Sequence, residues 1–318
     1  MLKCRGVLSV KGPDAHSFLQ NLLTNDMNSI SPERAIYAAL LTPQGKFLHE
    51  FVIFQSGEQE FLLDCESERL LDLGKRLVSY RLRSSVEISD MRDEMAVYVN
   101  PEIKQISELD EVPFKPYSAD EKILLHDSPE NERKNDQIGL AKKVKNGFAC
   151  IDPRHKNLGL RAIVSLSELE DIKDLNNSEV NATNINYELI RIKACIPDGS
   201  RDIDVEKSTA AEIGLEYLKG VDFSKGCYIG QEVTNRMKNR GTSRRKLLPV
   251  EVLGKLPSPG TPISCGNREV GVIKTGLDNH AIALVRPDRI LTAPEDTILA
   301  QNIPLKIDLN YRDRLEEK

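Results

Sequence analysis

Residues 220–246 read GVDFSKGCYIGQEVTNRMKNRGTSRRK. Gly226 and Gly230 bracket Cys227, Tyr228 and Ile229, and glycine lets a backbone bend tightly and a ligand approach closely. From Gln231 the pattern turns helical. Val233 and Met237 are four apart, and Gly241 stands where a helix commonly ends. Free amides at a helix start attract an anion. A thiol in that place, beside the cation of Lys225, is biased towards the thiolate. A lone cysteine is also among the most buried residue types, so a packed, inert thiol is the competing reading. Arg236, Lys238, Arg240, Arg244, Arg245 and Lys246 follow within eleven positions. Such a run is most often a solvated face, but in this chain it also suits an anionic partner or a ligand's carboxylates.

Downstream of Gly241 the character changes. LLPVEVL, TPISC, REVGVIKT, AIALVR and PLKIDL are short β-like runs, punctuated by Gly254, Gly260, Gly266, Gly271, Gly276, Pro257 and Pro259. Several short strands with regular turn signals predict a small β-barrel or sandwich, with a domain boundary near Arg244. Upstream, Ala15, Phe18, Leu19, Leu22 and Leu23 form one apolar helix face over residues 13–25. Strands are predicted over 36–41, 47–54, 60–65, 86–88 and 95–99. The turn TPQGK joins the first two, and Gly45 supplies its positive φ. Leu70, Leu73, Leu77 and Val78 predict a helix over 66–79. Two further helices are expected over 166–175 and 186–195, and DSPENERKND (127–136) reads as an exposed loop. Strands and helices intermix without regular βαβ alternation, so the class is α+β. The expected domains are 1–243, the α+β part, and 244–318, the barrel.

The chain has 318 residues, a formal net charge of −5, 40% hydrophobic and 29% charged residues. These fractions exclude collagen-like and wholly disordered chains, and the acidic balance argues against a non-specific nucleic-acid binder. Cys4, Cys65, Cys150, Cys195, Cys227 and Cys265 are never closer than 32 positions. No CxxC occurs, which argues against a zinc site of the usual spacing, and scattered thiols suit a reducing compartment. No signal-peptide h-region is seen, and the longest apolar run, residues 35–41, is far short of a membrane span. A cytoplasmic protein is expected, without membrane or nucleic-acid partners and without a resident metal site.

KGCYIGQE (225–232), preceded by GVDF and followed by Arg236 and Arg240-Gly241, resembles the signature of the YgfZ family. These folate-binding proteins support iron–sulfur cluster assembly and repair, and the group includes a mitochondrial assembly factor. They are similar in fold to the T-protein of the glycine cleavage system, a tetrahydrofolate-dependent aminomethyltransferase. GPDAHSFLQNLLTND (12–26), TPQGKFLHEFVIF (42–54), YRLRSSVEI (80–88) and DPRHKNLGLRAIV (152–164) follow the same superfamily pattern in order. The resemblance implies two interwoven α+β lobes, a C-terminal β-barrel and a channel for tetrahydrofolate.

It also implies roles. Cys227 becomes the functional thiol, shaped by Lys225, Gly226, Tyr228, Gly230, Gln231 and Glu232. Glu212, in STAAEIGLEY, matches the carboxylate that binds the pterin, a job suited to a group accepting two parallel N–H bonds. Read alone, Glu212 is equally a helix-start acid. Arg236 and Arg240, and with less support Arg191, face the folate tail or a partner. Where the aminomethyltransferases carry an Asp-Asp pair, this chain has His49-Glu50. His49 reads as a rim strand residue. One cysteine cannot hold a cluster alone, since clusters take four protein ligands, so any cluster contact is shared with a partner. Three readings follow. The first is an assembly or repair factor acting on iron–sulfur client enzymes with cluster-assembly proteins. The second is a tetrahydrofolate-dependent one-carbon transferase using Glu50. The third is a docking module whose pocket is vestigial.

Overall fold

The computed structural model describes residues 1–110, 137–167, 177–241, 243–291, 293–294 and 297–311. The loop at 127–136, and residues 168–175 of the helix expected there, lie outside them.

The described chain forms two compact units, each assembled from separate stretches of sequence. Unit 1 comprises Met1–Leu40, His49–Tyr187 and Lys219–Tyr228. Unit 2 comprises Leu41–Leu48, Glu188–Leu218 and Ile229–Lys318.

Unit 1 opens with β1 (Arg5–Lys11) and α1 (Ala15–Leu22), which buries Ala15, Phe18, Leu19 and Leu22, the face its periodicity marks. β2 (Ile36–Leu41) and β3 (Phe47–Gly57) follow, with Gly45 at φ +70° in the turn between them. β4 (Glu60–Glu66) leads to α2 (Leu70–Arg81), β5 (Glu87–Asp90) and β6 (Met95–Asn100). The first sheet has the order β2-β3-β4-β1-β5. β2 is buried throughout, so its run of apolar residues shows no alternation. β7 (Ala141–Val144), β8 (Gly147–Ile151) and β9 (Leu160–Ser165) join β6 in a second sheet, ordered β6-β9-β8-β7. Tyr98, Ala149, Leu160, Ala162 and Val164 pack on one face of it.

The helix expected over 186–195 is longer, since α3 spans Asn177–Lys193. In unit 2, α4 (Gly199–Asp202), α5 (Ala210–Ile213) and α6 (Gln231–Arg240) precede six strands. These are β10 (Lys246–Val252), β11 (Pro262–Cys265), β12 (Arg268–Leu277), β13 (His280–Val285), β14 (Ile298–Ala300) and β15 (Ile303–Ile307), with the short α7 (Pro287–Ile290) after β13. They close into a barrel, because β10 pairs with both β13 and β15 and leaves no open edge. Leu248, Val250 and Val252 point inward at a period of two, against Ile263, Ile273 and Ala283. Each such buried aliphatic contributes about 1.5–3 kcal/mol. The chain is thus α+β with a C-terminal β-barrel, as the sequence predicts.

Within unit 2, α4 and α5 are tied to barrel residues. Asp202 Oδ1 accepts the Thr275 N–H of β12 at 2.9 Å, and Arg245, just before β10, reaches Glu212 of α5.

Candidate functional site

The KGCY loop is stitched to the end of α1. Thr24 Oγ1 donates to the Gly220 carbonyl at 2.6 Å, and the Asp222 N–H donates to the Thr24 carbonyl at 3.0 Å. Asn25 Nδ2 donates to the Lys219 carbonyl at 2.8 Å. Asp222 Oδ1 accepts the backbone N–H groups of Ser224 and Lys225, which turns the chain inward. Lys225 is 8% exposed and spends its ammonium on three carbonyls, of Gln20 at 2.8 Å, Leu23 at 2.7 Å and Asn25 at 2.6 Å. The Tyr228 ring lies 5.3 Å beneath it. Burial lowers the Lys225 pKa to about 8 against the pull of Asp26 and Asp222. The cation expected to bias the Cys227 thiol is therefore committed to α1, where a positive charge suits the helix C-terminus.

Cys227 is exposed. All six cysteines are described, and none of the others is: Cys65, Cys150 and Cys195 are buried, and Cys4 and Cys265 are half-buried. Burial pushes the Cys65 and Cys150 thiols well up. Gly226 faces open space, so a side chain there would meet nothing within 4 Å. Tyr228 is buried and anchors the loop.

The rest of the motif belongs to unit 2. Gly230 has φ +84°, and a Cβ on it would lie 2.7 Å from the Thr42 carbonyl and 3.1 Å from Gly45 Cα. The close approach read into Gly230 is thus an approach of the TPQGK turn, not of a ligand. Gly241 ends α6 at φ +57°, as expected. Gln231 is half-buried. Glu232 and Arg236 are exposed and pair with each other one helical turn apart. Arg236 thus lies on a solvated face. Arg240 closes the same helix, and Lys238 pairs with Glu216.

Glu212 is 8% exposed and lies at the third position of α5. Its Oε2 accepts the Thr209 N–H at 2.9 Å, and its own N–H donates to Thr209 Oγ1, a reciprocal cap. Its Oε1 accepts Arg245 Nε at 2.8 Å. The helix-start role is present, and so is the chemistry of a carboxylate facing a planar guanidinium. Arg245 is 41% exposed, whereas the Glu212 side chain is 10% exposed.

Arg191 is not a surface cation. It is fully buried, donating to Asp202 Oδ2 at 2.8 Å, to the Ile196 carbonyl and to Glu188. It ties α3 to α4 within unit 2, and the burial removes it from any ligand or partner role.

His49 and Glu50 are buried side by side on β3, at 3% and 2% exposure, and face opposite ways. His49 Nε2 meets Asp72 Oδ2 at 2.9 Å. Burial, then the charge of Arg69, drops its pKa to about 4 despite Asp72, so His49 is neutral near pH 7. Glu50 is held by Arg5, which also donates from Nε to Asp64 Oδ1 at 2.7 Å. Glu50 is thus buried and bonded to Arg5 through Oε1.

That pair opens a buried network which sequence reasoning missed. Asp64 also binds Arg161. Arg154 grips Asp152 at 2.7 and 3.0 Å, and Tyr187 Oη accepts from both Arg154 and Arg161 at 3.0 Å. Three guanidinium groups and three carboxylates balance in charge with almost no solvent contact. Burial raises the Asp64 and Asp152 pKa values, but the adjacent guanidinium groups outweigh it and hold both low. The available signal was a single charge inside each apolar strand run, Asp64 in FLLDC and Arg161 in LGLRAIV. Among the described residues no group of three His, Cys, Asp or Glu is gathered to hold a metal, and no helix is long and apolar enough to cross a membrane.

Comparison with known proteins adds identity to this geometry. Residues 2–99 match the GCVT N-terminal domain, and residues 244–310 match the C-terminal beta-barrel domain of CAF17. The aminomethyltransferase T of the glycine cleavage system from Bartonella henselae superposes with a TM-score of 0.70 at 13% identity, covering 96% of this chain and 84% of that one. That likeness shows the fold. The iron–sulfur cluster assembly factor IBA57 homolog, mitochondrial, of Neurospora crassa is 28% identical over 82% of this chain, which spans only 55% of that relative. The iron–sulfur cluster assembly factor IBA57, mitochondrial, of Homo sapiens is 30% identical over 90% of this chain and 76% of the relative. With an aminomethyltransferase fold, a CAF17-type barrel and this extent of identity, the chain belongs to the family of the iron–sulfur cluster assembly factor IBA57.

Proposed function

We propose that this protein supports the assembly or repair of iron–sulfur clusters in client enzymes, with Cys227 as its working thiol, as in the YgfZ branch that the KGCY motif resembles. The observation that carries the reading is the exposure of Cys227 alone among six cysteines, on a loop anchored by Lys225. A cluster usually takes four protein ligands. Cys227 therefore supplies one ligand to a cluster shared with a cluster-assembly protein or a client. The cluster is cargo here, not a resident group. The proposed compartment is a reducing one, the cytoplasm, in which six free thiols persist.

Tetrahydrofolate is the proposed cofactor. The donor set at Glu212 fits it, because a carboxylate that accepts a guanidinium also accepts the guanidine-like edge of a pterin. Bound there, tetrahydrofolate would bring a reduced pterin to the protein. Glu212 would orient it, and Arg245 would have to move aside.

Complementation of a deletion strain tests the thiol. Cys227→Ala is expected to fold, to retain folate affinity by titration calorimetry, and to fail to restore iron–sulfur enzyme activity. Full rescue by the alanine variant would overturn the assignment.

A further inference from the structure

α2 carries an aliphatic stripe on its solvent side. Leu71, Val78 and Leu82 are 60%, 51% and 87% exposed, while Leu70, Leu73 and Leu77 of the same segment are buried. Leu71 and Val78 are two helical turns apart and share a face of α2, and Leu82 stands just beyond its last residue, Arg81. They are three of the seven large hydrophobic residues exposed among the described residues. Leu82 closes the helix at φ +46°, a left-handed conformation that glycine adopts freely and leucine does not.

The surroundings are basic. Residues 75–85, KRLVSYRLRSS, hold Lys75, Arg76, Arg81 and Arg83 and no acid, in a chain of net charge −5. Lys75, Arg81 and Arg83 are exposed. The nearby carboxylate of Asp72 is turned to His49, Arg69 and Arg76. At the far end, Leu82 and Arg83 line an open groove with Asp14, Ser17 and Ser84. Grouped, exposed aliphatics with a charged rim mark a contact surface for another macromolecule. A second copy of this chain meeting this one through the same face would set like charges against each other.

We propose that the Leu71–Val78–Leu82 stripe docks an acidic amphipathic helix of a partner protein, its aliphatic side chains against the stripe and its carboxylates against Lys75, Arg81 and Arg83. This is the helix-in-groove mode, in which apolar anchors give affinity and the charged rim gives register and on-rate. It does not depend on the role of Cys227 or of folate.

The test uses the intact protein and a dye-labelled synthetic helix of glutamate and leucine, with leucines spaced i, i+4, i+7, followed by fluorescence anisotropy. Saturable binding that weakens from 50 to 300 mM salt is expected, as screening requires. Leu82→Gly removes the side chain while suiting the left-handed backbone, so it keeps the fold. It should weaken binding by roughly tenfold, the loss expected of a well-packed apolar anchor. Val78→Asp should do the same, and Leu253→Asp, on the barrel, should not. Four results would overturn the proposal: no binding by the wild type, unchanged affinity in Leu82→Gly, equal binding of a lysine–leucine helix, or no discrimination from Leu253→Asp. Dimerisation abolished by Val78→Asp, or binding only to phosphatidylserine vesicles, would reassign the surface and refute it as well.

Discussion

Lys225 Nζ lies 2.7 Å from the carbonyl oxygen of Leu23, so a residue of the KGCY loop completes the C-terminal end of a helix 202 positions earlier. The last carbonyls of a helix have no partner within it, and a cation there satisfies both the lone pairs and the dipole.

Replacement of Lys225 by Met should therefore act on stability before it acts on chemistry. It removes three charge-assisted bonds and leaves three carbonyls short of a donor. A loss of about 2–4 kcal/mol is expected, read by urea denaturation. Lys225→Arg should not recover it, because a planar guanidinium cannot aim three N–H groups at one convergent set of carbonyls.

The buried network of unit 1 predicts strong coupling. Asp64→Asn leaves the guanidinium groups of Arg5 and Arg161 under-compensated in a dry site. It should cost about 3–5 kcal/mol. Tyr187→Phe removes only the shared acceptor of Arg154 and Arg161 and should cost about 1–2 kcal/mol. The double variant should lose less than the two effects combined, since both act on Arg161. Additive losses in a denaturation series would show that the two ends of the network are independent.

His49 gives unit 1 a defined acid sensitivity. Its folded pKa of about 4 lies below the usual value of 6.5, so the unfolded chain takes up the proton first. The associated stability is fully present above pH 6.5 and is lost as pH falls towards 4, amounting to roughly 3 kcal/mol. His49→Gln should flatten the stability profile in that window relative to wild type. Parallel pH profiles for the two proteins would refute the assignment.

Glu212 holds the reciprocal cap of α5 and is the proposed folate ligand, and two substitutions separate these. Glu212→Gln keeps the reciprocal cap with Thr209, since glutamine serves at that position, but removes the charge. Glu212→Ala removes both. The glutamine variant should retain the wild-type melting temperature and bind tetrahydrofolate roughly tenfold more weakly by calorimetry, as loss of a charge-assisted bond implies. The alanine variant should also lose about 1 kcal/mol of stability. Unchanged folate affinity in Glu212→Gln would remove the carboxylate from the pocket.

Local elements were legible because their signals are local. The apolar face of α1, the turn glycine Gly45, the terminal glycine Gly241 and the punctuated strands of the barrel follow from side-chain period and from residues that tolerate positive φ. The motif around Cys227 was legible for the same reason, being continuous in sequence. The sequence alone also singled out that thiol from five others and placed the basic run beside it.

What each charge does was decided only by tertiary structure. Lys225 reads as a neighbour of Cys227 and turns out to be bonded to residues 20, 23 and 25. Arg191 reads as a cation facing the folate tail or a partner and is fully buried on Asp202. Glu50 reads as a candidate acid and is paired with Arg5. The physical reason is common to all three. Period and propensity depend on neighbours along the chain, whereas a charged side chain answers to whichever opposite charge or carbonyl the fold brings within about 3 Å. The sequence determined which residues form helices, strands and the exposed motif; the fold determined which of its charges are structural and which remain at the surface.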